Sequence, residues 1–248
     1  MFSKTKKNTE LSDLNFALLM ALPVIFFLLF VVIYPLGYAL WMSMHKVSMF
    51  GGLKFKFVGL ANYYKVLANE KFWDASLVSI RFTLESTVLT ILLGLFIAII
   101  LSKDFKYKTL IRSIVIIPWS ISLYGCGIMW AQIGRGQTGF FTAIYHLFGG
   151  EDKVNLISRS YVLELLALGN AWNLAPLVAF FLLSNISTIP RRLYDLADID
   201  QMSNFKKFWH VTFPPLRFTI FVFTCITIVM SLKLHDFIYT LSQGGPGR

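Results

Sequence analysis

Charged residues in this chain arrive in clusters, and between the clusters lie five runs with none. The runs are Leu14 to Met44, Ser86 to Leu101, Ser113 to Gly134, Leu165 to Pro190 and Phe218 to Leu232. An α-helix rises about 1.5 Å per residue, so about 20 apolar residues cross a hydrocarbon core. Three of the runs span unaided, and the two shorter ones must recruit flanking polar residues. Helices are the expected solution, because lipid offers no hydrogen-bond partner to an open strand edge. The pattern predicts an all-α, polytopic membrane protein forming one transmembrane domain over residues 1–248. Its five helices are expected near residues 16–43, 78–102, 112–133, 163–188 and 217–239. The first of these is expected to end near Pro35 and Gly37, which suit a bent or closely packed membrane helix. Between helices 1 and 2, Ala61 to Trp73 alternates apolar and charged residues in a helical rhythm suited to lying along the membrane surface. Residues 134–160, with Gly134, Gly136, Gly139, Gly149 and Gly150, show no periodicity and read as a loop.

The stretch from Pro190 to Pro215, between helices 4 and 5, is hydrophilic and patterned. Thr188 and Pro190 supply a helix start. Asp195 sits early in that helix, where a carboxylate favours the dipole, with Asp198 on the same side. Leu193, Leu196, Ala197 and Ile199 give it an apolar side. Ser203 can cap a second short helix, with Phe205, Phe208 and Trp209 as an apolar stripe and Lys206 and Lys207 pointing away. Pro214 and Pro215 are expected to end it. Such a hairpin either lies on lipid headgroups or docks a cytoplasmic partner. The aspartates suit an anionic membrane surface poorly and favour docking.

Composition agrees with a membrane protein: 56% of the 248 residues are apolar and 15% charged, against about 25% charged in soluble domains. The excess of 23 basic over 13 acidic residues does not form a basic stripe interleaved with aromatics, so nucleic acid is excluded as a partner. Topology accounts for the excess better, with 12 basic residues on one side against nine on the other, where Lys46, Lys54, Lys56, Lys65 and Lys71 lie in the first external loop. Lys4, Lys6, Lys7, Lys103, Lys106, Lys108, Arg112, Arg191, Arg192, Lys206, Lys207 and Arg217 fall on one side, which positive-inside reasoning assigns to the cytoplasm with the amino terminus. The first run is too long for a signal-peptide core and is expected to remain as a helix. Cys126 and Cys225 fall within predicted spans and read as small apolar fillers.

Ionisable or polar residues within spans are candidates for function. Arg81 and Glu85 stand four apart on one face of helix 2 and can pair with each other. Lys233, His235 and Asp236 lie near the outer end of helix 5, either snorkelling or contacting something outside. Helix 4 carries Asn170, Trp172, Asn173 and Asn185. An aromatic face beside amides suits a sugar, and interhelical hydrogen bonding explains the amides nearly as well. The histidines His45, His146, His210 and His235 are scattered, and no metalloprotease motif, paired central carboxylates or Ser/His constellation marks a membrane enzyme.

One family accounts for three stretches in register. Ile189-Pro190-Arg191-Arg192-Leu193-Tyr194-Asp195-Leu196-Ala197-Asp198-Ile199-Asp200, followed by Phe205 to Pro214, resembles the EAA coupling motif of ABC-importer permeases, whose usual form is close to IP-x-x-LYEAA-x-IDGA. Phe57-Val58-Gly59-Leu60-Ala61-Asn62-Tyr63 with Phe72-Trp73 is similar to the FVGLxNY…FW segment of the binding-protein-dependent sugar permeases. Asp236-Phe237-Ile238-Tyr239-Thr240-Leu241 with Gly244-Gly245-Pro246-Gly247 is similar to their ending before the last helix. The chain departs from the motif at Asp195, Leu196, and at Gln201 with Met202, where Gly-Ala is usual. Without the glycine, the turn is expected to form through Ser203 and Asn204.

The resemblance implies a type I ABC-importer permease in the inner membrane, with a sixth span following the position of Arg248. It implies assembly with a second permease in a heterodimer, two cytoplasmic ATPases and an extracytoplasmic solute-binding protein. ATP and Mg would be held by the ATPases, and this chain has no P-loop and needs no cofactor of its own. The residues implied for coupling are Tyr194, Asp195, Ala197, Asp198, Asp200 and Gln201. Trp172, Asn173 and Asn170 are expected along the solute path, and Asp236 and Tyr239 at an outer gate or binding-protein contact. The expected cargo is a sugar, in size an oligosaccharide. A permease for another solute, or a channel or carrier without an ATPase, is the competing expectation.

Overall fold

The computed structural model describes residues 13–48, 52–136, 139–150, 155–158 and 160–244. Two compact units divide the chain, Met1–Ala75 and Ser76–Arg248.

In the first unit, α1 (Asp13–Leu28), a π-turn (Leu29–Ile33) and α2 (Tyr34–Ser43) make one apolar rod. The π-turn has a local cause. Pro35 lacks an N–H and its ring would collide with a carbonyl one turn back, so the preceding turn widens. The helix therefore passes through Pro35 and Gly37 and continues to Ser43. Two short strands follow, β1 (His45–Ser48) and β2 (Lys54–Phe57), paired antiparallel with His45 opposite Phe57 and Ser48 opposite Lys54. Period-3.6 reasoning gives no warning of this hairpin. The helical rhythm of Ala61 to Trp73 is divided between α3 (Ala61–Leu67) and the start of the next helix, and Asn62 Nδ2 of α3 donates to the carbonyls of Ser43 (2.8 Å) and His45 (3.1 Å), fixing the hairpin to the end of the rod.

α4 (Glu70–Ser102) begins well before the charge-free run and carries the chain into the second unit. The single helix expected near residues 112–133 is instead broken. α5 (Lys108–Val115) and α6 (Ile117–Ser120) meet α7 (Leu123–Gly134) at a bend of 97°. Ile121 is extended, Ser122 Oγ caps α7 by accepting from the Gly125 N–H, and Asn173 Nδ2 donates to the Pro118 carbonyl (2.7 Å), which also accepts the longer bond from the Ile121 N–H (3.3 Å). The stretch read as a loop contains α8 (Phe140–Leu147), whose flanking glycines hide it from periodicity. α9 (Val162–Ser187) is the axis of this unit, with 72% of its apolar window buried. The helix expected near residues 217–239 ends at Leu232, and Asp236–Ser242 forms a separate short helix after an irregular break at Lys233–His235. Among the described residues four helices are long and apolar enough to cross a membrane, five with the bent pair as one span. The all-α, polytopic expectation stands.

Two apolar clusters form the core. One gathers Phe82, Cys126, Trp130, Leu165 and Phe237, and the other Ala98, Leu101, Val178, Leu182, Leu216 and Phe223. Along α4 and α9 the residues between them are buried and polar: Ser86, Thr87, Thr90, Asn170 and Asn173. Gly94 lets α4 approach α9, since a Cβ there would lie 2.8 Å from Val178 Cβ.

Candidate functional site

The hydrophilic segment folds as an elbow. α10 (Arg191–Ile199) starts after the extended Pro190 and ends in a Schellman turn: the Met202 N–H donates to the Ala197 carbonyl (2.9 Å) and the Gln201 N–H to the Asp198 carbonyl (3.0 Å). This geometry demands a left-handed residue, and Gln201 supplies it at φ 52°. A side chain there costs about 1 kcal/mol relative to glycine. The turn is thus made by Gln201 itself and not through Ser203 and Asn204. Ser203 has a different task, accepting the Lys206 N–H to cap α11 (Asn204–Lys207).

Pro214 and Pro215 do not end the second helix. A π-turn (Phe208–Thr212) joins α11 to α12 (Phe213–Leu232), and a single helical path runs Asn204–Leu232. The prolines occupy the first turn of α12, and the wide π-turn before them accommodates the missing donors. The elbow is therefore α10 set against one end of a helical path long and apolar enough to span a membrane, and that path runs unbroken from α11 into α12.

Two contacts tie α10 to this rod. Tyr194 Oη hydrogen-bonds Thr212 Oγ1 at 3.0 Å, and Lys207 Nζ pairs with the Asp198 carboxylate. Lys207 thus folds back on the elbow instead of pointing away, and it is largely covered; Lys206 remains exposed. Ala197 is buried beneath the turn. A third tie reaches the α4–α5 turn, where Asp104 receives Lys108 (3.2 Å) and Arg191 (3.4 Å). The Lys108 ammonium, with Arg191 adding to it, holds the exposed Asp104 carboxyl below the usual carboxylate range. These elements enclose an open cleft of about 720 Å³ lined in part by Lys103, Lys108, Asp195 and Lys207.

The six expected coupling residues therefore divide. Tyr194 and Ala197 face the rod and the exposed Asp198 is tied to it through Lys207, while Asp195, Asp200 and Gln201 are exposed on the rest of the elbow. Leu193, Leu196, Ile199 and Phe205 are also exposed, so the elbow presents apolar and acidic groups together on its free side.

The residues expected along a solute path lie elsewhere. Asn170 Nδ2 donates to Ser86 Oγ (2.6 Å) and Ser231 Oγ (3.1 Å), joining three helices. Asn173 holds the break between α6 and α7 as described above. Asn185 bonds Thr219 on α12. Trp172 is partly buried and meets Trp130 edge-on at 6.0 Å. α13 (Asp236–Ser242) packs on α7, with Phe237 fully buried and Asp236 and Tyr239 exposed. Arg81 pairs with Glu85 at 2.6 Å as the spacing suggests, and also with Glu164 of α9 at 2.6 Å. That second carboxylate was out of reach of local spacing, which pairs residues only within one helix.

Comparison with known proteins gives a consistent result. Residues 90–247 match the family described as "Binding-protein-dependent transport system inner membrane component". The chain is 31% identical to the trehalose/maltose transport system permease protein MalF of Thermococcus litoralis over 229 residues, covering 92% of this chain and 77% of that protein. It is 26% identical to the sulfoquinovosyl glycerol transport system permease protein SmoG of Agrobacterium fabrum, covering 96% and 77%. In fold it resembles a chain of a bacterial ABC transporter involved in the import of the acidic polysaccharide alginate, with a TM-score of 0.71 at 19% identity, over 92% of this chain and 80% of that one.

Proposed function

Since the chain belongs to the family of binding-protein-dependent transport system inner membrane components, we propose that it converts ATPase closure into passage of a sugar across the inner membrane. It is a multi-pass transport subunit of an ABC importer, not an enzyme. ATP hydrolysis belongs to two partner ATPases, a second permease completes the channel, and an extracytoplasmic binding protein delivers the solute. The relatives' carbohydrate cargoes support sugar as the class. The amino terminus and the elbow face the cytoplasm in this scheme.

The observation that carries the proposal is the division of α10 into a tied face and a free face. Tyr194 and Asp198 fix it to the helix that continues into the membrane, and Leu193, Leu196 and Ile199 remain for a partner. A load on the free face is then passed to α12 as a rigid displacement, since no flexible joint separates α11 from it. Leu193, Leu196 and Ile199 would seat in an apolar cleft of the ATPase, each worth roughly 1.5–3 kcal/mol when fully buried. Asp195 and Asp200 would take charge-assisted hydrogen bonds from basic groups at its rim.

For the solute we assign Trp172 to the path, and Asp236 and Tyr239 to the outer mouth, where they gate it or meet the binding protein. Asn170 and Asn173 act at one remove, holding α4, α9, α12 and the broken span in place around that path.

The assembled complex in proteoliposomes tests this. Asp195→Lys is expected to leave membrane insertion intact and to reduce solute-stimulated ATP hydrolysis at least tenfold. Full stimulation in a well-folded Asp195→Lys complex would refute the lever. Solute uptake by this chain without any ATPase would favour a channel or carrier instead.

A further inference from the structure

The β1–β2 hairpin at the end of the first rod has two chemically opposite faces. Its register pairs His45 with Phe57 and Val47 with Phe55, which puts these four residues on one side. Lys46 pairs with Lys56 and Ser48 with Lys54, which puts three lysines on the other. The apolar side continues a line of rings that climbs the rod. Tyr34 stacks on Tyr38 (6.5 Å), Tyr38 on Trp41 (5.8 Å), and Trp41 meets both His45 (4.0 Å) and Phe55 (5.3 Å). His45 in turn meets Phe57 at 5.2 Å. Rings at the end of a spanning helix mark the depth of the membrane–water boundary, where tyrosine and tryptophan collect. Phe57 is 67% exposed and Leu53 69%, so this side is open to that boundary.

The lysine side carries a cost that needs an explanation. Lys46 and Lys56 stand directly opposite each other, and like charges at such a position destabilise a strand pair. A neighbouring anion removes the cost. The hairpin is also held rigidly: Asn62 donates to the Ser43 and His45 carbonyls, and the Val58 N–H donates to the Met44 carbonyl at 2.9 Å.

We propose that this hairpin is an interfacial ribbon, with Phe55, Phe57 and Leu53 seated at the acyl–headgroup boundary and Lys46, Lys54 and Lys56 holding the phosphates of anionic lipids. Phosphate chemistry fits three clustered ammonium groups with no carboxylate in the hairpin, and the aromatic line places them at headgroup depth. An acidic protein surface is the rival occupant for the same charges.

Photo-crosslinking separates the two. The full chain, in its assembled complex, carries Phe57→p-benzoylphenylalanine and is reconstituted in vesicles of about seven parts phosphatidylcholine to three parts phosphatidylglycerol. Illumination is expected to yield lipid adducts whose phosphatidylglycerol-to-phosphatidylcholine ratio exceeds the bulk ratio by about fivefold or more. Each lysine near the surface contributes roughly a fivefold preference, so adding K54Q should lower the enrichment and K46Q/K54Q/K56Q should return it to the bulk ratio. An adduct with a polypeptide, or a phosphatidylglycerol share equal to bulk before any lysine is changed, would overturn the proposal. The readout needs no transport, so it stands or falls separately from the importer function.

Discussion

The rod Asn15–Ser43 and the helix Val162–Ser187 both have the length and hydropathy of a membrane span, yet 0% of the first and 72% of the second is buried within the chain. The rod is the more apolar of the two. It offers Phe, Leu, Ile and Val on every side, and those residues meet lipid as readily as protein. α9 is less apolar because it carries Gly169, Asn170, Ala171, Asn173, Ala175 and Ala179, all buried. In a bilayer, apolar area does not drive helices together, whereas small residues and interhelical hydrogen bonds do. Hydropathy therefore reports that a helix enters the membrane, and departures from hydropathy report which helix the others pack around.

The sharpest way to test that difference is to enlarge a small residue at the axis. Gly94 of α4 faces Val178, and a Cβ would lie 2.8 Å from Val178 Cβ and 3.2 Å from the Ala175 carbonyl. Neither neighbour can swing aside, because Val178 and Ala175 are buried. Gly94→Val is expected to cost about 1–3 kcal/mol, the usual range for overpacking. Thermal unfolding of the purified chain in detergent should show a clearly lowered midpoint. An unchanged midpoint would mean that α4 and α9 are not in close contact.

A smaller effect is expected from Asn170→Ala. The substitution removes two hydrogen bonds, to Ser86 and Ser231, and uncouples α9 from two helices at once. Interhelical hydrogen bonds in membrane proteins average about 0.6 kcal/mol each, so a loss of roughly 1–1.5 kcal/mol is expected by the same unfolding assay. Asn170→Asp sharpens the test, because a carboxylate accepts from both hydroxyls but is costly to bury. A loss larger than that of alanine would confirm that the site is dry.

These residues also show what was legible in advance. Each of the five charge-free runs falls on one of the long apolar helices among the described residues, with the bent pair taken as one, because the cost of burying charge in hydrocarbon is read directly from sequence. The elbow was legible too, since Ser203 and the alternation of Leu193, Asp195, Leu196 and Asp198 are local signals. Breaks within spans were not. Pro118 shows that a kink is allowed, but the 97° bend is held by Asn173, more than fifty residues later, donating to the Pro118 carbonyl. The continuity of α11 with α12 was hidden by Pro214 and Pro215, which stop a helix in its interior and start one in its first turn. The Glu164 partner of Arg81 is likewise tertiary.

The rod supplies the smallest expected effect. Leu22 and Phe26 are more than half exposed. In Leu22→Ala the lost methyl groups leave a lipid contact in the folded chain and the same lipid contact after the helices separate, so the transfer terms cancel. The isolated chain should lose less than about 0.5 kcal/mol, the usual scale for substitutions away from packed sites. Insertion should persist as well, since the 29-residue rod has apolar length to spare. Repeating the measurement on the assembled complex gives the comparison its final edge. A loss of about 2 kcal/mol or more that is present only in the complex is the large-to-small signature of a covered side chain. It would mean that a partner subunit covers the rod, and that its bareness in this chain is an interface and not a lipid face.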